Sequence, residues 1–575
     1  MPETKPDPTD ELLAEARALA ALPLEAVHDR LEDLRSRYRD APRLFSRETV
    51  QLLKEAAARA TPRGGDDGRA HAVLREVFGY PEFRPGQLAI IDAVRSGRDC
   101  LGIMPTGAGK SVTYQIPARL LGGVTLVVSP LISLMQDQVE AMVAVGMRAT
   151  FLNSSLEAAE RSRRVAQARA GEFELLYAAP EGLDASVGRL IDALDLKLIA
   201  VDEAHCISEW GHDFRPSYRN LAGLKSRFAG LPVLALTATA TPGVTKDIVE
   251  QLALRDPLLV RGSFFRPNLR LYAVKKGQGE GVREMILRLV LARRGEPGIV
   301  YCLSRKAAES TAEFLSSRGV RASAYHAGLS PEQRAATQER FRRDDVEVVC
   351  ATIAFGMGID KSNVRFVIHR DMPRSIEGYY QEIGRAGRDG APADCVMFYS
   401  WADVMSLDRL GQRADAPAAD LEDQQRRAVR RVFDLADGAD CLWRRLSLHF
   451  AERIEACGGS CGRCNGQDVI ASAGRSRARA PSGAAVDGAP RADAQTRWAR
   501  AAVDDGLFER LRTLRKSLAD ARGVPAYLVF NDRTLQEMAD REPQTREQLL
   551  AVHGVGQRKL DEYGDAFLAQ ILGRR

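Results

Sequence analysis

Short apolar runs alternate with amphipathic segments along most of this chain. From about residue 70 to residue 261 the runs have the length of strands, and the segments between them carry apolar residues at helical spacing. The same alternation repeats from residue 263 to about residue 402. Strands that alternate with helices build parallel sheets covered by helices. The pattern therefore predicts an α/β protein with two doubly wound parallel sheets.

Helical patterns flank these two regions. The first 60 residues carry leucines at mostly helical spacing, and a linker rich in Gly and Asp ends this part at residue 68. Residues 471–493 are rich in Ala, Arg, Ser, Gly and Pro and lack apolar periodicity, which predicts a flexible basic linker. A last helical pattern follows, with Leu507, Leu511, Leu514 and Leu518 at its centre.

The chain therefore divides into six predicted segments. They are a helical N-terminal extension without an assigned role (1–68), two sheet lobes (69–262 and 263–403), a helical module with a cysteine cluster (404–467), a flexible basic linker (468–496) and a helical C-terminal domain (497–575).

Composition narrows the class of protein. The 575 residues are 45% hydrophobic and 28% charged, as in globular proteins, and the net charge of +5 is too small to announce nucleic-acid binding by itself. No apolar run approaches the roughly 20 residues that span a bilayer, and the first residues lack a signal pattern. We therefore expect no membrane contact and a place in the cytoplasm, at the nucleoid.

A glycine-rich turn lies between a short apolar run and a predicted helix at Leu101–Ser111. Such a loop turns backbone amides toward phosphates, while a lysine reaches the β and γ phosphates and a hydroxyl binds Mg²⁺. Met104 replaces the first glycine of the usual pattern. The predicted nucleotide-binding residues are Thr106, Gly107, Gly109, Lys110 and Ser111.

Two carboxylates come directly after the buried strand predicted at residues 198–201. Asp202 and Glu203 thus lie at a carboxyl strand end, where parallel sheets bind ligands. We expect Asp202 to hold Mg²⁺ together with Ser111, and Glu203 to orient the attacking water. The alternative is that the two carboxylates are ordinary surface charges. The glycine-rich loop found earlier in the chain argues against this alternative.

Aromatic and cationic side chains occur in two further places. Tyr80 and Arg84 precede the loop and could hold a purine between them, while Gln87 reads the edge of that purine. The alternative is a turn that is held together by aromatic side chains. The segment that follows the two carboxylates carries aromatic rings and a guanidinium, which are suited to stacking on single-stranded bases. The alternative is that the rings pack in the core. The residues of this second group are Trp210, Phe214, Arg215 and Tyr218.

Four of the nine cysteines cluster, with 15, 3 and 2 residues between successive members: Cys441, Cys457, Cys461 and Cys464. This spacing is typical of a tetrahedral zinc site, and zinc is favoured over disulfides in a protein without a secretion signal. Four thiolates leave no open position for water, so we expect a structural role.

Taken together, these motifs resemble those of the RecQ family of superfamily-two DNA helicases, from about Phe78 to Cys464. The resemblance implies two RecA-like lobes with ATP and Mg²⁺ between them, and a zinc module. It further implies that His205 relays between the lobes and the DNA loop, that Gln381 belongs to the nucleotide site, and that Arg385 and Arg388 act as arginine fingers. It also implies 3′ to 5′ unwinding in DNA repair and recombination.

The same resemblance implies single-stranded and tailed duplex DNA as partners, together with single-strand-binding and other repair proteins. The C-terminal segment resembles the HRDC domain, in which the Gly554–Gly556 turn either holds a phosphate beside Arg558 and Lys559 or merely packs two helices.

The winged helix of many family members has no room between Asn465 and the terminal helices. An RNA helicase, a translocase that does not unwind, and a DNA-binding scaffold with a silent motor remain as alternatives.

Overall fold

A computed structural model describes residues 68–130, 132–183, 186–209, 213–228, 230–277, 279–355, 361–411, 419–473 and 505–573, with isolated positions before residue 68. The predicted N-terminal extension falls almost wholly outside this part of the chain. Trp210 and most of the predicted linker also lie outside the described residues.

The strands of the described residues form two sheets. In chain order they are β1 (Cys100–Ile103), β2 (Val124–Val128), β3 (Ala149–Leu152), β4 (Leu175–Ala178), β5 (Leu196–Val201), β6 (Val233–Thr237), β7 (Leu258–Arg261), β8 (Leu269–Lys275), β9 (Gly298–Tyr301), β10 (Ala322–Tyr325), β11 (Val348–Ala351), β12 (Phe366–His369) and β13 (Ala393–Tyr399).

The first sheet has the order β3-β4-β2-β5-β6-β1-β7, and the second has the order β10-β11-β9-β12-β13-β8. Each recorded strand pair is parallel, from β1 with β6 to β13 with β8. Most strands are buried along their whole length, as expected for parallel sheets covered on both faces. The predicted fold class, with its two parallel-sheet lobes, is confirmed.

Helices cover the sheets and continue into the regions that follow the second sheet. They are α1 (Arg69–Glu76), α2 (Gln87–Arg95), α3 (Val112–Leu120), α4 (Ile132–Ala144), α5 (Ala158–Arg169), α6 (Ser186–Ile191), α7 (Leu224–Arg227), α8 (Pro242–Gln251), α9 (Val282–Leu291), α10 (Arg305–Ser316), α11 (Pro331–Arg342), α12 (Ile376–Ile383), α13 (Trp401–Gly411), α14 (Ala419–Asp437), α15 (Leu442–His449), α16 (Gly462–Asn465), α17 (Val469–Ala473), α18 (Asp505–Arg522), α19 (Ala526–Val529), α20 (Asp532–Arg541), α21 (Arg546–Leu550) and α22 (Gln557–Ile571).

One apolar cluster runs through both lobes and continues into the cysteine module, which we define as residues 441–467. It contains Leu101 of the first lobe, Tyr380 of the second and Trp443 of the module. The C-terminal domain, residues 505–573, has a separate core that includes Leu511 and Phe567. Among the described helices, none is long and apolar enough to cross a membrane.

Candidate nucleotide and nucleic-acid site

The loop between β1 and α3 forms a cradle of backbone amides. Gly109 has a φ angle of 79°, which glycine adopts without strain. A Cβ atom there would lie 2.6 Å from Nε2 of Gln87, so a larger residue would displace that amide. The helix dipole of α3 favours an anion in this loop. All the predicted phosphate-binding residues lie in it: Thr106, Gly107, Gly109, Lys110 and Ser111.

Asp202 and Glu203 follow β5 at the same edge of the sheet, because β5 and β1 are both parallel neighbours of β6. The Asp202 carboxylate accepts a hydrogen bond from the backbone N–H of Glu203 (3.0 Å). Burial, and then the charge of Glu203, raise the pKa of Asp202 to about 7, while Lys110 acts in the opposite direction. A cation beside Asp202 would therefore offset the repulsion between two carboxylates.

The donor set at this edge fits Mg²⁺, which prefers oxygen ligands. Ser111 supplies a hydroxyl and Asp202 a carboxylate, and both affect the pKa of the buried Tyr114 hydroxyl. Burial raises the pKa of Tyr114 well above its usual value, Asp202 raises it further, and Ser111 lowers it. Nearby, the Lys110 ammonium donates to the carbonyl of Met104 (3.3 Å), and burial lowers the pKa of Lys110.

The base segment, residues 78–87, contacts the cradle directly. The Arg84 guanidinium donates to the carbonyl of Gly107. The Gln87 amide donates to the carbonyls of the next two cradle residues, each at 3.0 Å, and accepts from the backbone of Arg84 (2.8 Å). Gln87 therefore supports the cradle through both ends of its amide. Tyr80 lies at the far end of the segment, against a ring of the C-terminal domain.

Polar contacts cross from the first lobe to the second at His205. Its Nδ1 atom lies 3.0 Å from Oγ1 of Thr237 and 3.3 Å from the Glu203 carboxylate. The Gln381 amide nitrogen of the second lobe lies 3.4 Å from Nε2 of His205 and donates to Oγ1 of Thr239 (3.2 Å). Gln381 thus contacts His205, and these contacts connect the carboxylate pair to the second lobe.

The two predicted arginine fingers occupy different surroundings. Arg388 packs against the cradle, where a Cβ atom on Gly107 would lie 3.6 Å from its Cα. Arg385 is buried beside Tyr301. Burial raises the pKa of Tyr301 to about 12, and Arg385 opposes that shift. The structure thus brings Arg388 to the nucleotide loop, while Arg385 lies three residues before it, in the turn that follows α12.

Sequence reasoning missed Arg266, which holds the loop of the two fingers. Its guanidinium donates to the carbonyls of Gly384 (3.0 Å), Ala386 (3.0 Å) and Gly387 (2.7 Å). Burial lowers the pKa of Arg266, and these carbonyls satisfy its donors. The available signal was an arginine between two phenylalanines and a proline, which indicates a buried cation but not its partners.

The aromatic loop after the carboxylates is anchored to the first lobe by Arg215. Its guanidinium donates to the carbonyl of Pro130 (3.0 Å) and to the Asp213 carboxylate (3.3 Å). Phe214 is half-buried, and the guanidinium of Arg219 lies 5.1 Å from its ring centre. Arg215 therefore positions this loop beside the carboxyl end of β2.

The prediction that Tyr218 offers a ring to nucleobases is wrong. Its side chain is 0% exposed, and its hydroxyl donates to the backbone carbonyl of Asp202 (2.8 Å). The ring packs into the core because Tyr218 lies in a short helical turn that faces the sheet. Its effect on the site is to fix the backbone at Asp202.

The cysteine module brings the four predicted thiolates together. Their sulfur atoms all lie within 4.8 Å of one another, with Cys457 and Cys461 at 3.7 Å and Cys461 and Cys441 at 3.9 Å. Tetrahedral zinc with Zn–S bonds of about 2.3 Å requires sulfur separations of about 3.8 Å. Cys464 completes the set, so the four thiolates fit a closed zinc site.

Three family models match the chain. They are DEAD/DEAH box helicase over residues 84–248, Helicase conserved C-terminal domain over residues 281–390, and HRDC domain over residues 504–571. The chain is 40% identical, over 597 aligned residues, to the ATP-dependent DNA helicase RecQ of Pasteurella multocida. The alignment covers 87% of this chain and 93% of that protein.

Two further relatives carry the same description. RecQ of Haemophilus influenzae is 38% identical over 598 residues, with 87% of this chain and 95% of that protein covered. RecQ of Bacillus subtilis is 36% identical over 593 residues, with 88% and 98% covered.

Proposed function

The chain belongs to the RecQ family of ATP-dependent DNA helicases, and from this premise we propose that it uses ATP hydrolysis to move along single-stranded DNA and to unwind duplexes 3′ to 5′. One observation carries the proposal for this chain. Arg388 of the second lobe packs against the phosphate cradle of the first, so that a bound triphosphate would contact both lobes. Hydrolysis between two lobes changes the closure of their cleft, and alternating closure yields stepping.

The roles follow from positions around the cradle. Lys110 binds the β and γ phosphates, Ser111 and Asp202 hold Mg²⁺, and Glu203 orients and deprotonates the attacking water. The metal would supply positive charge at the transferred phosphoryl group. Arg388 neutralises charge that develops on the γ-phosphate, and Arg385 supports it from the second lobe.

Coupling to DNA uses the polar relay at His205. Glu203, His205 and Gln381 are joined across the cleft, so a shift of the second lobe moves a group that contacts the water-activating carboxylate. The aromatic loop follows His205 closely in the chain. We assign base contacts there to Trp210 and Phe214, with Arg215 at the DNA backbone.

The remaining assignments extend this proposal. The four cysteines of the module hold one structural Zn²⁺. The substrates are single-stranded and tailed duplex DNA in repair and recombination, with single-strand-binding and other repair proteins as partners. Such a motor works in the cytoplasm at the nucleoid.

The test is strand separation on matched 3′-tailed and 5′-tailed DNA duplexes with Mg²⁺ and ATP. We expect unwinding of the 3′-tailed substrate alone, and no DNA-stimulated hydrolysis in Lys110→Ala or Glu203→Gln. Hydrolysis without strand separation would make the chain a translocase. Retained DNA-stimulated hydrolysis in either variant would overturn the assignment of the site.

A further inference from the structure

The C-terminal domain lies directly on the base segment. The backbone N–H of Gly554, in the turn between α21 and α22, donates to the carbonyl of Gly79 (2.9 Å). The rings of His553 and Tyr80 are 5.2 Å apart between centres. A Cβ atom on Gly79 would lie 2.7 Å from the backbone nitrogen of Gly556, so the two backbones meet without side chains between them. The turn predicted to hold a phosphate or to pack helices thus packs against the motor.

The same domain also contacts the second lobe. Asp532 at the start of α20 pairs with Arg365 (3.2 Å), which also pairs with Asp389. Burial works against the charge of Asp532, but Arg515 and Arg365 hold its pKa below the usual range.

Two contacts from α18 extend this interface. Arg512 donates to the carbonyl of Gly295 (3.1 Å), and Lys516 donates to the carbonyl of Arg343 (2.9 Å). On the first lobe, Arg558 donates to the carbonyl of Val143 (3.0 Å). The domain therefore bridges the two lobes.

The bridge passes beside the nucleotide loop. Arg533 of the domain lies near residues of both lobes. Burial lowers its pKa, and the charge of Arg84 in the first lobe lowers it further. Its guanidinium would lie 4.0 Å from a Cβ atom on Gly390 of the second lobe. Arg84 in turn donates to the cradle at Gly107. A base held by Tyr80 and Arg84 would thus have the C-terminal domain as its outer neighbour.

We propose that the docked C-terminal domain closes the base side of the nucleotide site and slows nucleotide release, so that it must undock when the cleft opens. This inference rests on the nucleotide-binding part of the proposed function. A domain bonded to both lobes resists their separation, and lid opening commonly limits product release. The polar character of the contacts allows the domain to leave and return.

Gly556 offers a variant that weakens docking and leaves the domain folded. It is the N-cap of α22 with φ −88° and ψ 164°, a conformation in which aspartate is a preferred cap. A Cβ atom there would lie 3.3 Å from the carbonyl oxygens of Glu76 and Val77, at the end of α1. Gly556→Asp therefore places a carboxylate against two carbonyl oxygens of the motor. Thr545→Asp is the matched control, since Thr545 is the exposed N-cap of α21 in the same domain.

The experiment measures the dissociation of a fluorescent ADP, labelled on the ribose, from the full chain in Mg²⁺ without DNA. We expect Gly556→Asp to release it about tenfold faster than the parent, and Thr545→Asp to match the parent. A chain that ends at Ala473 lacks the domain altogether and should release ADP as fast as Gly556→Asp. Parent-like release by this shortened chain would overturn the proposal.

The experiment distinguishes failure of the proposed function from failure of the proposed docking effect. If the parent chain does not bind the labelled ADP, the proposed nucleotide site fails. If it binds ADP but DNA does not stimulate hydrolysis, the proposed motor function fails, and the release rates still test the docked domain.

Discussion

The cysteine module and the C-terminal domain both follow the second lobe in the chain and both contact it, but they do so in opposite ways. The module shares the apolar core of the motor through Trp443 and Phe450. The C-terminal domain keeps its own core and meets the motor through backbone groups and charged side chains. The module therefore folds with the motor, whereas the C-terminal domain can separate from it.

Direct contacts show how far the module is merged with the motor. The rings of Phe450 and Phe264 stack at 4.3 Å, and the Trp443 indole donates to the carbonyl of Leu269 (3.1 Å). The backbone N–H of Leu271 donates to the carbonyl of Ser460 (3.1 Å). These apolar and backbone contacts make the stability of the module inseparable from that of the second lobe.

Zinc removal should give the largest effect and the sharpest contrast. A zinc-selective chelator should lower the free energy of unfolding of the motor by several kcal/mol, since structural zinc contributes roughly 10–16 kcal/mol in small peptide domains. Calorimetry should show the motor transition moving down while that of the C-terminal domain stays in place. A motor transition that does not move after one equivalent of zinc has left would refute the shared core.

Paired core substitutions test the same contrast without a metal. Trp443→Ala should destabilise the motor by about 3–5 kcal/mol, because it removes a fully buried ring. Phe567→Ala, the matched change in the separate core, should cost a similar amount but only in the transition of the C-terminal domain. The comparison fails if either variant lowers both transitions in a calorimetric scan.

Acid should weaken docking of the C-terminal domain at His553. Burial, and then Arg533 and Arg84, lower the pKa of His553 from 6.5 to about 4. The imidazole is neutral in both states above pH 6.5. Between pH 6.5 and about 4 it gains a proton when undocked but not when docked, so docking weakens as the pH falls, by at most about 3 kcal/mol.

The measurement is the radius of gyration from small-angle X-ray scattering across this pH range. The parent chain should expand as the pH falls from 6.5 toward 4. His553→Gln cannot take up the proton and should lose this part of the response. An unchanged response in His553→Gln would assign the expansion to other groups.

A single polar contact should give the smallest effect. Arg512→Ala removes one hydrogen bond between the domain and the motor, to the carbonyl of Gly295, and should weaken docking by about 0.5–1.5 kcal/mol. ADP release should accelerate by a few-fold, less than in Gly556→Asp. Arg510→Ala, an exposed change on the same helix, is the control. Equal rates in the two variants would show that Arg512 does not contribute to docking.

Much of the motor could be predicted because its signals are local. The alternation of apolar runs and helical segments predicts two parallel sheets, and the loop at Lys110 and the pair at Asp202 are each continuous in sequence. The order of the strands could not be obtained in this way. β7 pairs with β1 although the partners Cys100 and Leu258 are 158 positions apart, and no local pattern encodes that register.

The misses have a common physical cause. Arg266 acts through backbone carbonyls of a loop more than 100 residues away, and carbonyls leave no mark in a sequence. Tyr218 follows Trp210, Phe214 and Arg215 in the chain and so resembles a further stacking ring, whereas one short helical turn carries it into the core. Docking of the C-terminal domain depends on glycines and charges that are equally common on solvated surfaces, so it too had no sequence signal.

The bond between Leu271 and Ser460 has a consequence for solubility. β8 is an edge strand of the second sheet and is seven residues long. Left uncovered, its outer side would offer unpaired backbone groups to a strand of another molecule. The cysteine module covers this edge, with a parallel bridge between Leu271 and Cys461. Loss of the proposed zinc would uncover a template for strand pairing between molecules, so we expect the zinc-free protein to aggregate before unfolding is complete.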